Sequence, residues 1–474
     1  MSVILTPDWV KHAIFYQIFP DRFAKSDKQQ LPVESWESPA TPSGYKGGDL
    51  WGVIEQLDHI QALGANALYL CPIFMSTTNH RYNTHDYMRV DPMLGGNEAA
   101  EQLIEDAHRR NMRVVFDGVF NHVAPTFLPF ADIMENQQDS PYRDWFIVEK
   151  YPVNAYDHSK PATYWAWWNL HHMPKLNHAN PQVQEYIYSV AEYWLKKGID
   201  GWRLDVPSEI KVKGFWEGFR QRVKQVNPEA YIVGEIWSEA KHWLKGDQFD
   251  AVMNYQWTDA TLNYVAGDRF DTSLVENRPF DVAPTSGADY AKRLEEILDW
   301  YHWEVTTCQM NLLDSHDMPR LITLARNDRT AVKLGALLLL TYPGAPSIYY
   351  GDEIGMTGGA PEEKCREPMP WQQEVWDTEL MEYYQSLTKL RHQHPALRTG
   401  SMTMVYSDEH VLAYRRTLAQ DDLLVLTNNA DSPKSISQEN LPDAELSVLW
   451  GEIDLVENEW RLPARSGAVL KVSR

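Results

Sequence analysis

The sequence predicts an α/β chain: a (β/α)8 TIM barrel, a small domain inserted after the third strand, and a C-terminal antiparallel β-sandwich domain. Three observations carry this. Eight short apolar runs recur between residues 13 and 352, and helical patterns separate several of them. The stretch 121–180, rich in Pro, Trp, Tyr and His, is too long for a single structureless crossover. Near residue 395 the hydrophobic period changes to two. A doubly wound open sheet is the alternative for the same element order.

The barrel strands are expected near AIFYQIF (13–19), NALYLC (66–71), MRVVFDG (112–118), DGWRLDV (200–206), YIVGEIW (231–237), FDAVMNY (249–255), CQMNLLDS (308–315) and PSIYYGD (346–352). Helices are expected over WGVIEQLDHIQALG (51–64) and NEAAEQLIEDAHRRN (97–111). A third, VQEYIYSVAEYWLKKG (183–198), ends in two lysines and a glycine, a helix stop. The barrel then takes residues 1–120 and 181–394, the insertion 121–180, and the β domain 395–474. In the last, SMTMVYSDEHVLAYRRTL, DDLLVLTNNA and GAVLKVSR alternate between turns.

Composition narrows the function classes. Hydrophobic residues make up 43% and charged residues 23%, a globular balance. The formal net charge of −22 repels a phosphate backbone, so no nucleic-acid partner is expected. Nineteen Trp and 24 Tyr offer flat faces with polar tips, suited to a core or to stacking on sugars or bases. Cys71, Cys308 and Cys365 are far apart and form no CxxC, which argues against a zinc site or disulfide framework. No secretory leader is visible, and the greasiest stretch, LGALLLLTYPGAPSIYY (334–350), is broken by prolines. A cytoplasmic protein with no membrane segment is expected.

The chemistry-bearing residues fall where barrel strands end. Asp117, Asn121 and His122 follow the third strand; Arg203 and Asp205 end the fourth. Glu235 ends the fifth, and His316 and Asp317 follow the seventh. In GWRLDVPSE (201–209) Arg203 and Asp205 share one face of the strand, while Trp202, Leu204 and Val206 take the other. Any one of these acids alone reads as a cap or a surface charge. Three acids converging from three strands suit glycosidic cleavage, which needs one protonated carboxyl and one ionised carboxylate. An arginine beside the ionised one keeps it charged.

DGVFNH (117–122), GWRLDVPSE, GEIW (234–237) and LLDSHD (312–317) together resemble the signature segments of the α-amylase family of glycoside hydrolases. The resemblance runs from YQIFPDRF (16–23) to the C-terminal β domain. MPKLN (173–177) is similar to the marker of the neopullulanase, cyclomaltodextrinase and maltogenic amylase subgroup. The resemblance implies a retaining hydrolase of α-1,4 and α-1,6 glucosidic bonds in maltodextrins, cyclodextrins or pullulan. It assigns Asp205 as nucleophile, Glu235 as general acid/base and Asp317 as the third acid. It makes Arg203 the residue that orients the nucleophile and Tyr82, in HRYNTHDY (80–87), a ring under the cleaved sugar. It gives His122, His316 and Arg366 sugar contacts and makes Trp237 an acceptor-side wall. Asp117 and Asn121 become supports.

Three departures from the subgroup stand out. Its N-terminal β domain is missing before the first strand, which predicts a more open cleft and leaves a homodimer to some other surface. The loop AKSDKQQL (24–31), often a calcium site in relatives, carries Lys25 and Lys28 beside Asp27, with Asp49 later. Ammonium groups oppose a cation that wants about 6–8 oxygens. The expectation is therefore no cofactor and no metal, with calcium as the alternative. Third, Glu362 or Glu363 in PEEKCR stands near Arg366 where relatives often place an acid. A transglycosylase on the same α-glucan substrates and a non-catalytic glucan-binding protein are the competing functions. The second is disfavoured because Asp205, Glu235 and Asp317 are all present.

Overall fold

A computed structural model describes residues 4–28, 32–275 and 283–473. Eight parallel strands form one sheet: β1 (Phe15–Ile18), β2 (Ala67–Leu70), β3 (Arg113–Gly118), β4 (Gly201–Leu204), β5 (Tyr231–Gly234), β6 (Ala251–Val252), β7 (Met310–Leu312) and β8 (Ala345–Tyr349). All eight runs expected from the sequence pair here. The order is β6-β5-β4-β3-β2-β1-β8-β7. The remaining edges meet through a parallel bridge from Met253 to Met310 and a 2.8 Å bond from Asn254 N–H to the Met310 carbonyl. The sheet is thus a closed barrel, not the open alternative.

Strands β1, β2, β4 and β5 are buried at every position, as expected where helices cover one face and side chains fill the other. Trp202 of β4 points to the helix side, into a cluster with Phe74, Phe116 and Phe120. The helix Pro181–Lys196 adds Trp194 to that cluster. The register places Asp117 of β3 directly beside Arg203 of β4. This pairing brings two charges from distant sequence positions onto one level of the barrel.

Element boundaries differ from the sequence expectation in three places. Strand β4 stops at Leu204, because Val206 takes a left-handed backbone (φ 35°) and cannot continue the alternation. The helix expected over 51–64 is two short helices, Leu50–Glu55 and Leu57–Ala62, broken at Gln56. Strand β6 is only two residues long, because the helix Tyr255–Ala266 begins at once. A hairpin, Phe74–Ser76 with Thr84–Val90, has no counterpart in the sequence reading. Its polar stretch STTNHRYNTH lacks the apolar alternation that marks a strand.

Between β3 and the helix Pro181–Lys196, the chain forms the helix Leu128–Asn136 and a strap held by isolated bridges. One bridge pairs His122 with Lys175, and another pairs Ala166 with Pro174. The C-terminal region has a five-stranded antiparallel sheet containing Ser401–Ser407, Val411–Leu418, Asp421–Asn428, Glu445–Gly451 and Ser466–Ser473. A three-stranded sheet of Lys434–Ser437, Asp454–Val456 and Glu459–Leu462 lies against it. The two share a core that includes Leu424, Ile436, Trp460 and Leu470.

Candidate active site

Arg203 is the centre of the site. Its guanidinium is fully buried, and three carboxyls surround it. Nη1 donates to both oxygens of Asp117 at 3.0 Å and to Oδ1 of Asp205 at 3.1 Å. Nη2 lies 3.0 Å from Glu235 Oε2. The planar fork fixes all three acids at once, which a lysine could not do. Burying such a charge demands this pairing.

Asp205 is 7% exposed, and its Oδ2 has no hydrogen-bond partner among the described residues. One oxygen is held and the other is free. The backbone is held too: Asp205 N–H donates to the Gly118 carbonyl at 3.1 Å. The next residue, Val206, turns left-handed, and its N–H donates to Glu235 Oε2 at 3.0 Å. A β-branched residue in this region is strained, by about 1–3 kcal/mol. That strained turn gives the end of β4 its contact with the acid that follows β5.

Glu235 Oε1 accepts the indole N–H of Trp237 at 3.2 Å. The Trp237 ring lies flat on Tyr255, centroids 3.7 Å apart and 8° from parallel. Trp237 therefore touches the acid directly, a contact absent from the sequence reading, which made it only a wall.

Burial pushes the carboxyls of both Asp205 and Glu235 above the ordinary range, with Arg203 opposing it. For Asp205 the Glu235 charge adds to the rise; for Glu235 the Asp317 charge does. Acids that share one cation titrate as a unit. Both carboxyls are therefore harder to ionise than free ones. The hydrogen bond from Arg203 Nη1 favours the charge on Asp205.

Asp317 is the opposite case. Burial opposes its charge, but His316 Nε2 at 3.0 Å and Arg366 Nη2 at 2.9 Å outweigh this and hold it well below the usual carboxylate range. His316 is buried, yet the Asp317 charge lifts it to about 10. Gln17 Nε2 lies 2.8 Å from His316 Nδ1. Arg366 also donates to Glu362 at 2.9 Å and to the His316 carbonyl at 2.8 Å. Of the two acids in PEEKCR, Glu362 is thus the one that meets Arg366.

Tyr82 sits on the hairpin loop, its ring parallel to His316 within 5° at 5.5 Å. Its hydroxyl is 2.5 Å from His316 Nε2 and donates to Asp117 Oδ2 at 3.0 Å. Tyr69 also donates to Asp117, so this acid is spent on holding Arg203 and two tyrosines. His122 is fully buried: Nε2 is 3.1 Å from the Tyr82 carbonyl and Nδ1 is 3.1 Å from Asn121 Nδ2. Its ring face is covered by Trp167 at 4.9 Å. Both ring nitrogens therefore already have protein partners. Asp117, Asn121, His122, Tyr82, His316, Asp317 and Arg366 thus join Arg203, Asp205, Glu235 and Trp237 through these contacts.

Among the described residues, no group of three or more His, Cys, Asp or Glu could hold a metal ion. In the loop where calcium is the alternative, Asp49 caps the helix Leu50–Glu55 through Gly52 N–H and accepts from Ser26 Oγ. The Lys28 ammonium lies 3.3 Å from the Trp51 ring centre. Residues 29–31 of that loop lie outside the described residues.

Residues 17–377 match the family description "Alpha amylase, catalytic domain". The chain is 43% identical to a cyclomaltodextrinase from a Bacillus species over 436 residues, 90% of this chain and 75% of that protein. Among solved structures it resembles a debranching enzyme from Nostoc punctiforme, with TM-score 0.91 and 45% identity over 99% of this chain and all of that one. It also resembles a cyclic α-maltosyl-(1→6)-maltose hydrolase from Arthrobacter globiformis, with TM-score 0.89 and 36% identity, covering 99% of this chain and 100% of that one. A barrel closed on a shared arginine, three acids at three strand ends and this family match agree: the chain belongs to the α-amylase family of glycoside hydrolases.

Proposed function

We propose that this enzyme hydrolyses both α-1,4 and α-1,6 glucosidic bonds in maltooligosaccharides and branched maltodextrins, with retention at the anomeric carbon. One observation carries the mechanism: Arg203 holds Asp205 and Glu235 on a single guanidinium, and among the described residues Asp205 Oδ2 has no partner. Double displacement requires the two carboxyls to stand about 5–5.5 Å apart, closer than in the inverting arrangement.

Asp205 Oδ2 attacks the anomeric carbon as Glu235 gives its proton to the departing oxygen. The bond to the leaving sugar breaks, and a glycosyl ester forms on Asp205. Glu235, now ionised, takes a proton from water, and the water oxygen displaces Asp205. Arg203 offsets the charge that Asp205 regains. Asp317, kept ionised by His316 and Arg366, faces the cation-like sugar of each transition state. Tyr82, locked by Asp117 and His316, presents its ring to that sugar.

The bond specificity rests on relatives that include enzymes named cyclomaltodextrinase, neopullulanase 2 and debranching enzyme. The reaction proceeds without calcium in this reading, which the capping role of Asp49 and the Lys28 ammonium support. A cytoplasmic location accords with a relative named intracellular maltogenic amylase. Among the described residues no helix is long and apolar enough to cross a membrane.

The test is the product profile from pullulan, a cyclodextrin, amylose and a branched maltooligosaccharide, with the anomer followed by NMR. Release of the α-anomer and cleavage of both linkages are expected. Initial release of the β-anomer, or a Glu235→Gln variant that keeps its activity, overturns the assignment.

A further inference from the structure

We propose that Trp167 and Trp168 form a glucan-binding platform outside the catalytic centre, one that selects long or branched chains. The proposal rests on the hydrolase reading above and extends it to the substrate beyond the cleaved sugar.

Three rings stack in sequence away from the site. His122 lies parallel to Trp167 within 6° at 4.9 Å, and Trp167 lies on Trp168 within 15° at 4.4 Å. The stack begins at a fully buried residue and ends at one that is 77% exposed. Among the described residues, no protein group accepts the Trp168 indole N–H. A large ring left in water at that exposure contributes little to a core.

The backbone is shaped for this stack. Adjacent side chains normally diverge. Here Trp168 and Asn169 both take left-handed conformations, φ 49° and 57°, and the two indoles become parallel. Asparagine tolerates this region, but a bulky tryptophan does not, so the turn is strained at Trp168. The strap beneath is pinned: Trp167 N–H donates to the Met173 carbonyl, Ala166 bridges to Pro174, and Lys175 bridges to His122. A strained turn on a fixed base, holding an exposed indole, fits a surface whose partner is absent.

The occupant follows from chemistry and continuity. The platform is flat and uncharged, and it continues from His122, whose Nε2 lies 3.1 Å from the Tyr82 carbonyl. Glucose rings in an α-glucan present flat C–H faces and hydroxyl rims, and tryptophan binds such faces while its N–H serves the rim. On this proposal the platform serves the part of a longer or branched chain that lies beyond the cleaved bond, which a short substrate lacks.

The experiment compares Trp168→Ala, Trp168→Gly and Trp168→Phe with the parent enzyme. For each, kcat/KM is measured on maltotriose and on amylose, and the amylose to maltotriose ratio is taken. Alanine and glycine are expected to lower that ratio roughly fivefold to tenfold, and phenylalanine to retain most of it. Glycine is also expected to melt no lower than the parent, since it relieves the left-handed turn. In a Glu235→Gln background, the same Trp168→Ala change should weaken amylose binding by a similar factor. An unchanged ratio, or equal losses on both substrates together with a lower melting temperature, overturns the platform. A parent enzyme that turns over no α-glucan overturns the hydrolase reading with it.

Discussion

Replacing Trp237 by phenylalanine removes one hydrogen bond to the proposed acid. The phenyl ring keeps an aromatic face for Tyr255 and loses the N–H that reaches Glu235 Oε1 at 3.2 Å, along with one ring of the indole. That donor favours the ionised carboxylate, so it lowers the Glu235 pKa against the rise from burial. Its removal therefore raises the pKa. A hydrogen bond to a charged group contributes about 1.5–3 kcal/mol, and the length here points to the low end. At about 1.4 kcal/mol per unit, the shift is roughly one pH unit upward. Glu235 must be protonated to start the reaction, so the alkaline limb of kcat/KM should move up by that amount. The assay is the pH profile on maltotriose for parent and variant, with melting temperatures as a fold control. An alkaline limb that stays in place or moves to lower pH refutes either the acid role of Glu235 or the direction of this hydrogen bond.

Asp117→Ala removes the acid that accepts from Arg203, Tyr69 and Tyr82, leaving a buried guanidinium short of one partner. Urea unfolding should show a loss of about 3–5 kcal/mol, and a loss under about 1 kcal/mol would mean that Asp205 and Glu235 suffice for Arg203. Chelation with EDTA should leave the melting temperature and maltotriose turnover unchanged, and a drop restored by added calcium would revive the metal alternative for the 24–31 loop.

The barrel strands were legible because they are short apolar runs buried on both faces, with helical periods between several of them. Asp205, Glu235 and Asp317 were legible because each follows such a run, in the order of a known family. Tyr82 was found through the motif alone, since its hairpin has no alternation that reads as a strand. The roles of Trp237 and Val206 were not legible. A tryptophan two residues past a glutamate says nothing about which oxygen it meets. A valine in an alternating run predicts an extended backbone, and only the turn demanded by the Glu235 contact explains φ 35°.

Local pattern by itself determined the eight strands, the strand-end position of the acids and the pairing of Arg203 with Asp205 on one face. Those follow from periodicities that each segment carries alone. Tertiary structure decided what no segment carries: barrel closure through Met253 and Met310, the beta register that sets Asp117 beside Arg203, and the sharing of one guanidinium among three acids. It also decided that His122 spends both ring nitrogens on the protein and hands its face to Trp167. The physical reason is range. Side-chain period is set by the backbone within a few residues, whereas charge, hydrogen bonding and ring contact depend on which distant segments the closed barrel brings within a few ångströms.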